Sequence, residues 1–337
     1  MTIRAIPNQP QTAIVLLGLL LVIVFGLIAS TTFGEYPIAW PDVTKTMLGF
    51  DTGNPDHAFV VRTLRLPRSI VAVLVGMALA MAGTITQGIT RNPLAAPGIV
   101  GVNAGASLAA VVLLILFPSV SIAYLPVAAF FGGLATALLI YVLAWQGGSA
   151  PVRLILIGVG VNLIVSAATE VLTTFGNINA VSQALVWLAG SVYGRSWAQI
   201  AAFLPWLIGF GSLALMQVRE LNVLNLGDEV ARSLGSRVEW QRGLLLLTSV
   251  ALAGASVATA GSIGFVDLMA PHLARQLVGS DHKILLPASA LLGGAIVVLA
   301  DLVGRLLFAP IEIPCGLVTS AIGAPYFVYL LIRNRFR

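Results

Sequence analysis

The most prominent feature of the sequence is a series of long apolar runs separated by short polar stretches. The longest window without a charged residue, 92–152, has 61 residues. Because a helix needs about 20 apolar residues to cross a bilayer, such runs predict membrane-spanning helices. Prolines and serines at 118–126 predict a turn that divides this window. The pattern predicts about ten spans, at 12–32, 69–89, 97–116, 124–145, 153–175, 197–218, 241–262, 264–278, 284–307 and 314–332.

The composition supports the same class of protein. Of the 337 residues, 58% are hydrophobic and only 9% are charged. Soluble domains carry about 25% charged residues, so a soluble globular protein is excluded, and the high hydrophobicity excludes a disordered chain. The continuous apolar runs do not fit the alternating pattern of a membrane barrel. We therefore predict an all-α polytopic membrane protein with one transmembrane domain over 1–337.

The basic residues predict the orientation of the chain in the membrane. With the N-terminus inside, 12 of the 18 Lys and Arg residues lie on the cytoplasmic side and six on the outer side. Cytoplasmic loops carry an excess of Lys and Arg, so both termini are predicted inside, with the first run retained rather than cleaved as a signal peptide. This bias explains the net charge of +5 without a nucleic-acid partner.

Three polar segments interrupt the apolar pattern. The outer segment 35–68 ends in a basic cluster that runs against the charge bias. This suggests docking of an acidic partner, with snorkelling of the arginines at the interface as the alternative. The inner turn 91–97 contains two prolines and predicts a rigid break between two spans. The longest inner segment, 219–242, is predicted to hold a short amphipathic helix that docks a partner or lies on the lipid surface.

This short helix is expected within residues 226–235. Asp228 can cap its N-terminus and form an i,i+4 pair with Arg232, and Gly235 can end it. The predicted apolar side comprises Val230, Ala231 and Leu234.

No motif for catalysis or cofactor binding is present in the sequence. Neither of the two lysines, Lys45 and Lys283, follows a glycine, so the phosphate-binding Gly-x-x-x-x-Gly-Lys loop is missing. The single Cys315 and three scattered histidines argue against a metal site. We therefore expect a protein that is not an enzyme, with no catalytic residue, no metal and no cofactor.

Acidic residues within predicted spans are costly, so they suggest pairing or function. Asp301 and Arg305 predict an i,i+4 ion pair. Glu170, Asp267 and Asp301 keep open an ion-coupled secondary carrier, which would not need the long inner polar segment. An intramembrane enzyme that uses Asp267 with His272 is a weaker alternative, because no nucleophile or metal set accompanies them.

Four stretches, in this order, resemble the FecCD-type permease family, the membrane subunits of ATP-driven importers for iron–siderophore complexes, haem and vitamin B12. The resemblance covers about 55–333. The stretches are Arg65-Leu66-Pro67-Arg68 through Arg91-Asn92-Pro93-Leu94 to Pro97-Gly98; Leu221-Asn222 through Leu226-Gly227 to Ala231–Gly235; Gly261 to Val266 with Pro271-His272 and Arg275; and Leu286-Pro287 through Asp301, Arg305 and Glu312 to Gly323-Ala324-Pro325.

The resemblance implies ten helices per subunit in two halves of inverted topology, in the cytoplasmic membrane. It implies a second permease subunit, identical or paralogous, two separate ATPase subunits and an extracytoplasmic substrate-binding protein. Ferric siderophores are the expected cargo, with haem or cobalamin as alternatives. Asp267 departs from the glycine that is usual in the family, and Cys315 from an aliphatic residue; a buried apolar role is expected for the cysteine.

The resemblance also implies roles for individual residues. Arg65, Arg68 and Arg305 are expected to dock the acidic lobes of the binding protein. Asn92 and Leu94 are expected to help form the inner gate. The helix that couples the chain to the ATPase is expected to comprise Leu226, Gly227, Asp228, Glu229, Ala231, Arg232, Leu234 and Gly235.

Overall fold

The computed structural model describes residues 9–34, 36–146, 148 and 150–335. Arg4 and Arg337, two of the basic residues predicted inside, and Glu35, the first residue of the outer polar segment, lie outside these residues. Within them the secondary structure is helical, with no strand. The helices are α1 Gln9–Thr32, α2 Trp40–Leu48, α3 Pro55–Ala58, α4 Leu66–Thr90, α5 Val102–Leu116, α6 Leu125–Ala144, α7 Pro151–Phe175, α8 Ile178–Leu188, α9 Trp197–Met216, α10 Val218–Asn225, α11 Asp228–Ser233, α12 Val238–Ala260, α13 Val266–Val278, α14 His282–Leu306 and α15 Cys315–Arg335.

Each of the ten predicted spans coincides with one of these helices, so the all-α membrane fold is confirmed. By length and composition, seven helical stretches of the described chain suffice to cross a membrane, while α5, α8 and the apolar part of α15 are shorter. The count of ten, the inverted halves and the orientation stay predictions. The sequence reasoning missed α8, and it placed the start of the second span too late, because a π-helix over Phe59–Arg65 joins α3 to α4.

The core of the bundle is formed by α4, α12 and α14. In these helices 67–83% of the apolar window is buried, against 11–28% in the other long helices. Gly76 of α4 meets Gly293 of α14 so closely that a Cβ on either would overlap the backbone of the other. Small residues at such crossings allow helices to approach closely in lipid.

The bundle has two chemically distinct ends. At one, which we call the arginine end, α1 and α14 finish and α4 begins; Arg65, Arg68 and Arg305 lie here. At the other, which we call the hairpin end, α4 finishes and α14 begins beside α10 and α11. The fold therefore separates the predicted docking arginines from the two predicted cytoplasmic elements.

Candidate functional site

The arginine end is held by a buried cluster of ion pairs. Arg68 contacts Asp301 at 2.8 Å through Nη2 and Glu312 at 2.9 Å through Nη1. Arg305 contacts the other oxygen of Asp301 at 3.3 Å, which places the predicted i,i+4 pair in the structure. The ring of Tyr193 covers Arg68, with its centroid 5.4 Å from the guanidinium carbon. The two arginines and two carboxylates balance in charge, as burial requires.

The C-terminal end of α1 provides the remaining partners. Arg65 donates through Nη1 to the carbonyls of Thr31 and Thr32, at 3.0 and 2.9 Å, and through Nη2 to Tyr36 at 2.6 Å. Arg305 donates to the carbonyl of Ser30 at 3.0 Å. The last carbonyls of a helix have no partner within it and carry partial negative charge, so they attract cations. The arginines thereby fasten α1 to the core.

These contacts leave the three arginines little free surface for the predicted docking role. Arg65, Arg68 and Arg305 are each only 7% exposed, and their guanidinium groups are occupied within the chain. The side chain of Glu312 is the more accessible carboxylate of the cluster, at 30% exposed. A partner carboxylate would have to replace an internal one to reach Arg68, so docking through these residues stays a prediction.

The hairpin end is organised around Asp228, the first residue of α11. Its carboxylate accepts from Arg242, at 2.7 Å, and contacts Arg91 at 3.3 Å. Arg242 is 1% exposed, so Asp228 neutralises a buried cation. The predicted cap and the predicted Asp228–Arg232 pair are wrong: the Asp228 side chain makes no cap, and Arg232 contacts Glu239 at 3.6 Å. Stronger tertiary partners, which local spacing cannot show, take up this carboxylate.

Three large apolar side chains in and beside this helix are exposed. Leu226, just before the helix, Val230 within it and Leu234 at its C-terminal cap are 61%, 45% and 62% exposed. We call these three residues the leucine stripe. Ala231, predicted on the same side, is instead fully buried against the bundle. Gly235 ends the helix as predicted, with a φ of 84° and its N–H bonded to the carbonyl of Arg232.

The turn predicted as the inner gate is attached to the same site. Arg91 ends α4 in the left-handed region, with a φ of 51°, and its side chain reaches Asp228. The side chain of Asn92 accepts from the N–H of Leu94 at 2.9 Å, which fixes the turn. The structure thus brings the predicted gate and the predicted coupling helix together through Arg91, a residue that the sequence analysis did not assign to either role.

A further contact fixes α10 to the start of α14. Asp281 accepts from the N–H of Lys283 at 3.0 Å and from the side-chain amide of Asn222 at 2.8 Å. These hydrogen bonds to the charged form hold the pKa of the Asp281 carboxyl below its ordinary value. Asn222 also accepts from the N–H of His282 at 3.0 Å. The hairpin end is therefore connected to α4, α12 and α14, the three core helices.

Comparison with known proteins places this arrangement in a family. The model of the FecCD transport family matches residues 20–333. The chain belongs to the FecCD transport family. A probable siderophore transport system permease, YfhA of Bacillus subtilis, is 44% identical over 96% of this chain and 94% of the relative. The Fe(3+) dicitrate transport system permease FecD of Escherichia coli is 41% identical over 91% of this chain and 94% of the relative.

A solved structure shares the fold over almost its whole length. It is an inward-facing conformation assigned to a metal-chelate type ABC transporter, with a TM-score of 0.85 and 31% identity, covering 95% of this chain and 99% of the other. A second, PsaBC from Streptococcus pneumoniae, is only 14% identical with a TM-score of 0.58, so it supports the fold alone. The arginine end and the hairpin end are therefore both built on helices of the FecCD family fold.

The acidic residues that would serve an ion-coupled carrier or an intramembrane enzyme do not lie together in one site of this FecCD chain. Asp301 is paired with two arginines, and Glu170 lies exposed on α7. Asp267 is buried at the start of α13, whereas His272 contacts Gln276 at 2.8 Å. Among the described residues, no group of three His, Cys, Asp or Glu is placed to hold a metal ion. Cys315 is buried, in line with its expected apolar role.

Proposed function

We propose that this chain is the permease subunit of an ATP-binding-cassette importer in the cytoplasmic membrane, with an iron chelate as cargo. The siderophore, citrate and haem systems named for its relatives support this cargo class. Ferric siderophores rank ahead of haem and cobalamin. The pathway is formed with a second permease subunit, and two separate ATPase subunits and an extracytoplasmic binding protein complete the importer.

The leucine stripe is the observation that carries this proposal. Its three large apolar side chains are exposed at the hairpin end. Asp228 holds the helix in place through its ion pair with the buried Arg242. An exposed apolar face beside charged residues is typical of a contact with another protein or with the membrane surface. The chain has no phosphate-binding loop of its own, so the expected occupant is a separate ATPase.

The ion pairs of Asp228 provide a route from this contact to the pathway. When the ATPase subunits close on ATP, α11 is displaced with them. Asp228 then carries the movement to α12 through Arg242 and to the gate turn through Arg91. The backbones of α4 and α14 are in direct contact at their glycines, so these helices cannot deform independently. The long helices therefore move as rigid bodies, and Asn92 and Leu94 shift at the inner gate.

At the arginine end, the proposed partner is the binding protein. Its carboxylates compete for Arg65, Arg68 and Arg305, and Glu312 is the internal carboxylate most easily displaced, because it is the most exposed. Docking would therefore exchange one carboxylate for another on Arg68, with little change in the net charge buried at the site.

The test is uptake of ferric citrate or a ferric siderophore into vesicles that contain the complete importer. We expect accumulation with ATP, loss of accumulation when the phosphate-binding lysine of the ATPase is replaced by alanine, and no effect of a protonophore. Accumulation that survives the dead ATPase and collapses with the protonophore would contradict the proposal and favour a carrier.

A further inference from the structure

A cavity beside the arginine cluster has no role in the mechanism above. It has a volume of about 480 Å³ and lies between α8, the ends of α5 and α6, and the loop that follows α8. This loop is fixed at the arginine end: the N–H of Ser191 donates to Ala260 at 2.7 Å, and Tyr193 covers Arg68. The cavity therefore lies at the outer end proposed to receive the cargo.

A second cavity extends the first. It has a volume of about 540 Å³ and shares Leu114, Ile122 and Gln183 with it. Ligand sites in proteins have volumes of about 300–1,000 Å³, so the pair can accept a bulky small molecule.

Arg195 is the unusual residue of the cavity wall. Its Nε is fully buried and has no hydrogen-bond partner, and no carboxylate among the described residues forms an ion pair with its guanidinium. Burial lowers the pKa of Arg195, but an arginine remains protonated in proteins. Arg68 and Arg305, at the same end, each have a carboxylate, and Arg65 has three carbonyl acceptors. Arg195 has neither kind of partner among the described residues, so its charge is available to pair with the anionic group of a ligand.

The other lining groups favour a ligand with an anionic group on a largely apolar body. Trp187, Val186 and Leu125 provide apolar surface, and the side-chain amide of Gln183 can donate hydrogen bonds. None of the described residues that line either cavity is acidic. The walls therefore offer nothing that would repel a carboxylate.

We propose that this cavity is an entry site for anionic iron chelates, in which Arg195 pairs with a carboxylate of the ligand. The inference rests on the proposed import function and refines it: the permease distinguishes negatively charged chelates from neutral ones. The same oxyanion chemistry could come from the headgroup of an anionic lipid, so the experiment separates the two sources.

The experiment measures ligand binding by the full-length chain in nanodiscs of phosphatidylcholine, with no ATPase present. Ferric citrate is titrated by calorimetry, and a neutral ferric trihydroxamate serves as the uncharged probe. We expect Arg195→Gln to weaken ferric citrate binding at least tenfold and Arg195→Lys to retain part of it. The matched control is Arg62→Gln, an exposed arginine of the same end that does not line the cavity, and it should bind normally.

Three results would overturn the inference. They are equal affinity of the wild type and Arg195→Gln, no ferric citrate binding by the wild type, and Arg195-dependent retention of phosphatidylglycerol in mixed nanodiscs without binding of ferric citrate. The last result would assign the cavity to lipid. Because this binding needs no ATP, it succeeds or fails separately from ATP-driven uptake, which tests the proposed function.

Discussion

The arginine end and the hairpin end both contain buried arginines paired with carboxylates, yet they present different surfaces. At the arginine end, the cations of Arg65, Arg68 and Arg305 are turned inward and hold α1, α4 and α14 together. At the hairpin end, the ion pairs of Asp228 also face the bundle, but the helix that they hold carries the exposed leucine stripe. In both regions the buried charges hold an element in place, and only the hairpin end adds an exposed apolar face, which is where we expect a partner to bind.

The largest expected effect of a single substitution is at Arg68. Arg68→Ala leaves Asp301 and Glu312 without their shared cation, and removing one partner of a buried ion pair costs about 3–5 kcal/mol. We expect a clear loss of thermal stability of the purified protein in detergent. Arg62→Ala, at the same end but exposed, should change stability little. Equal stability of the two variants would show that the arginine cluster does not hold the bundle.

A smaller effect on stability, but a strong one on transport, is expected at the hairpin end. Asp228→Asn removes the charge that joins Arg91 and Arg242 while keeping the size of the side chain. We expect ATP-driven uptake to fall at least tenfold while the ATPase still copurifies, because the leucine stripe is unchanged. Arg219→Gln, which removes an exposed charge of α10 at the same end, is the control. Normal uptake by Asp228→Asn would remove the proposed route to the gate.

The sequence predicted the helices of the bundle but not the contacts at its two ends. The apolar runs predicted the helices, because a run of apolar residues is a local feature of the sequence. The pairing of Arg68 with Asp301 joins residues 233 positions apart, so no local pattern shows that the arginine is buried. At Asp228, the spacing suggested Arg232, but Arg242 and Arg91 approach through the fold. The cavity at Arg195 depends on how α8 packs, and α8 itself was not predicted.

The central claim is that the leucine stripe binds the ATPase, and copurification of the ATPase with the Leu234→Asp permease tests it most directly. Ser233→Asp is the matched control, because it places the same charge one residue away and off the stripe. The account predicts that Leu234→Asp loses the ATPase and ATP-driven uptake, whereas Ser233→Asp keeps both. Normal copurification and normal uptake with Leu234→Asp would contradict it.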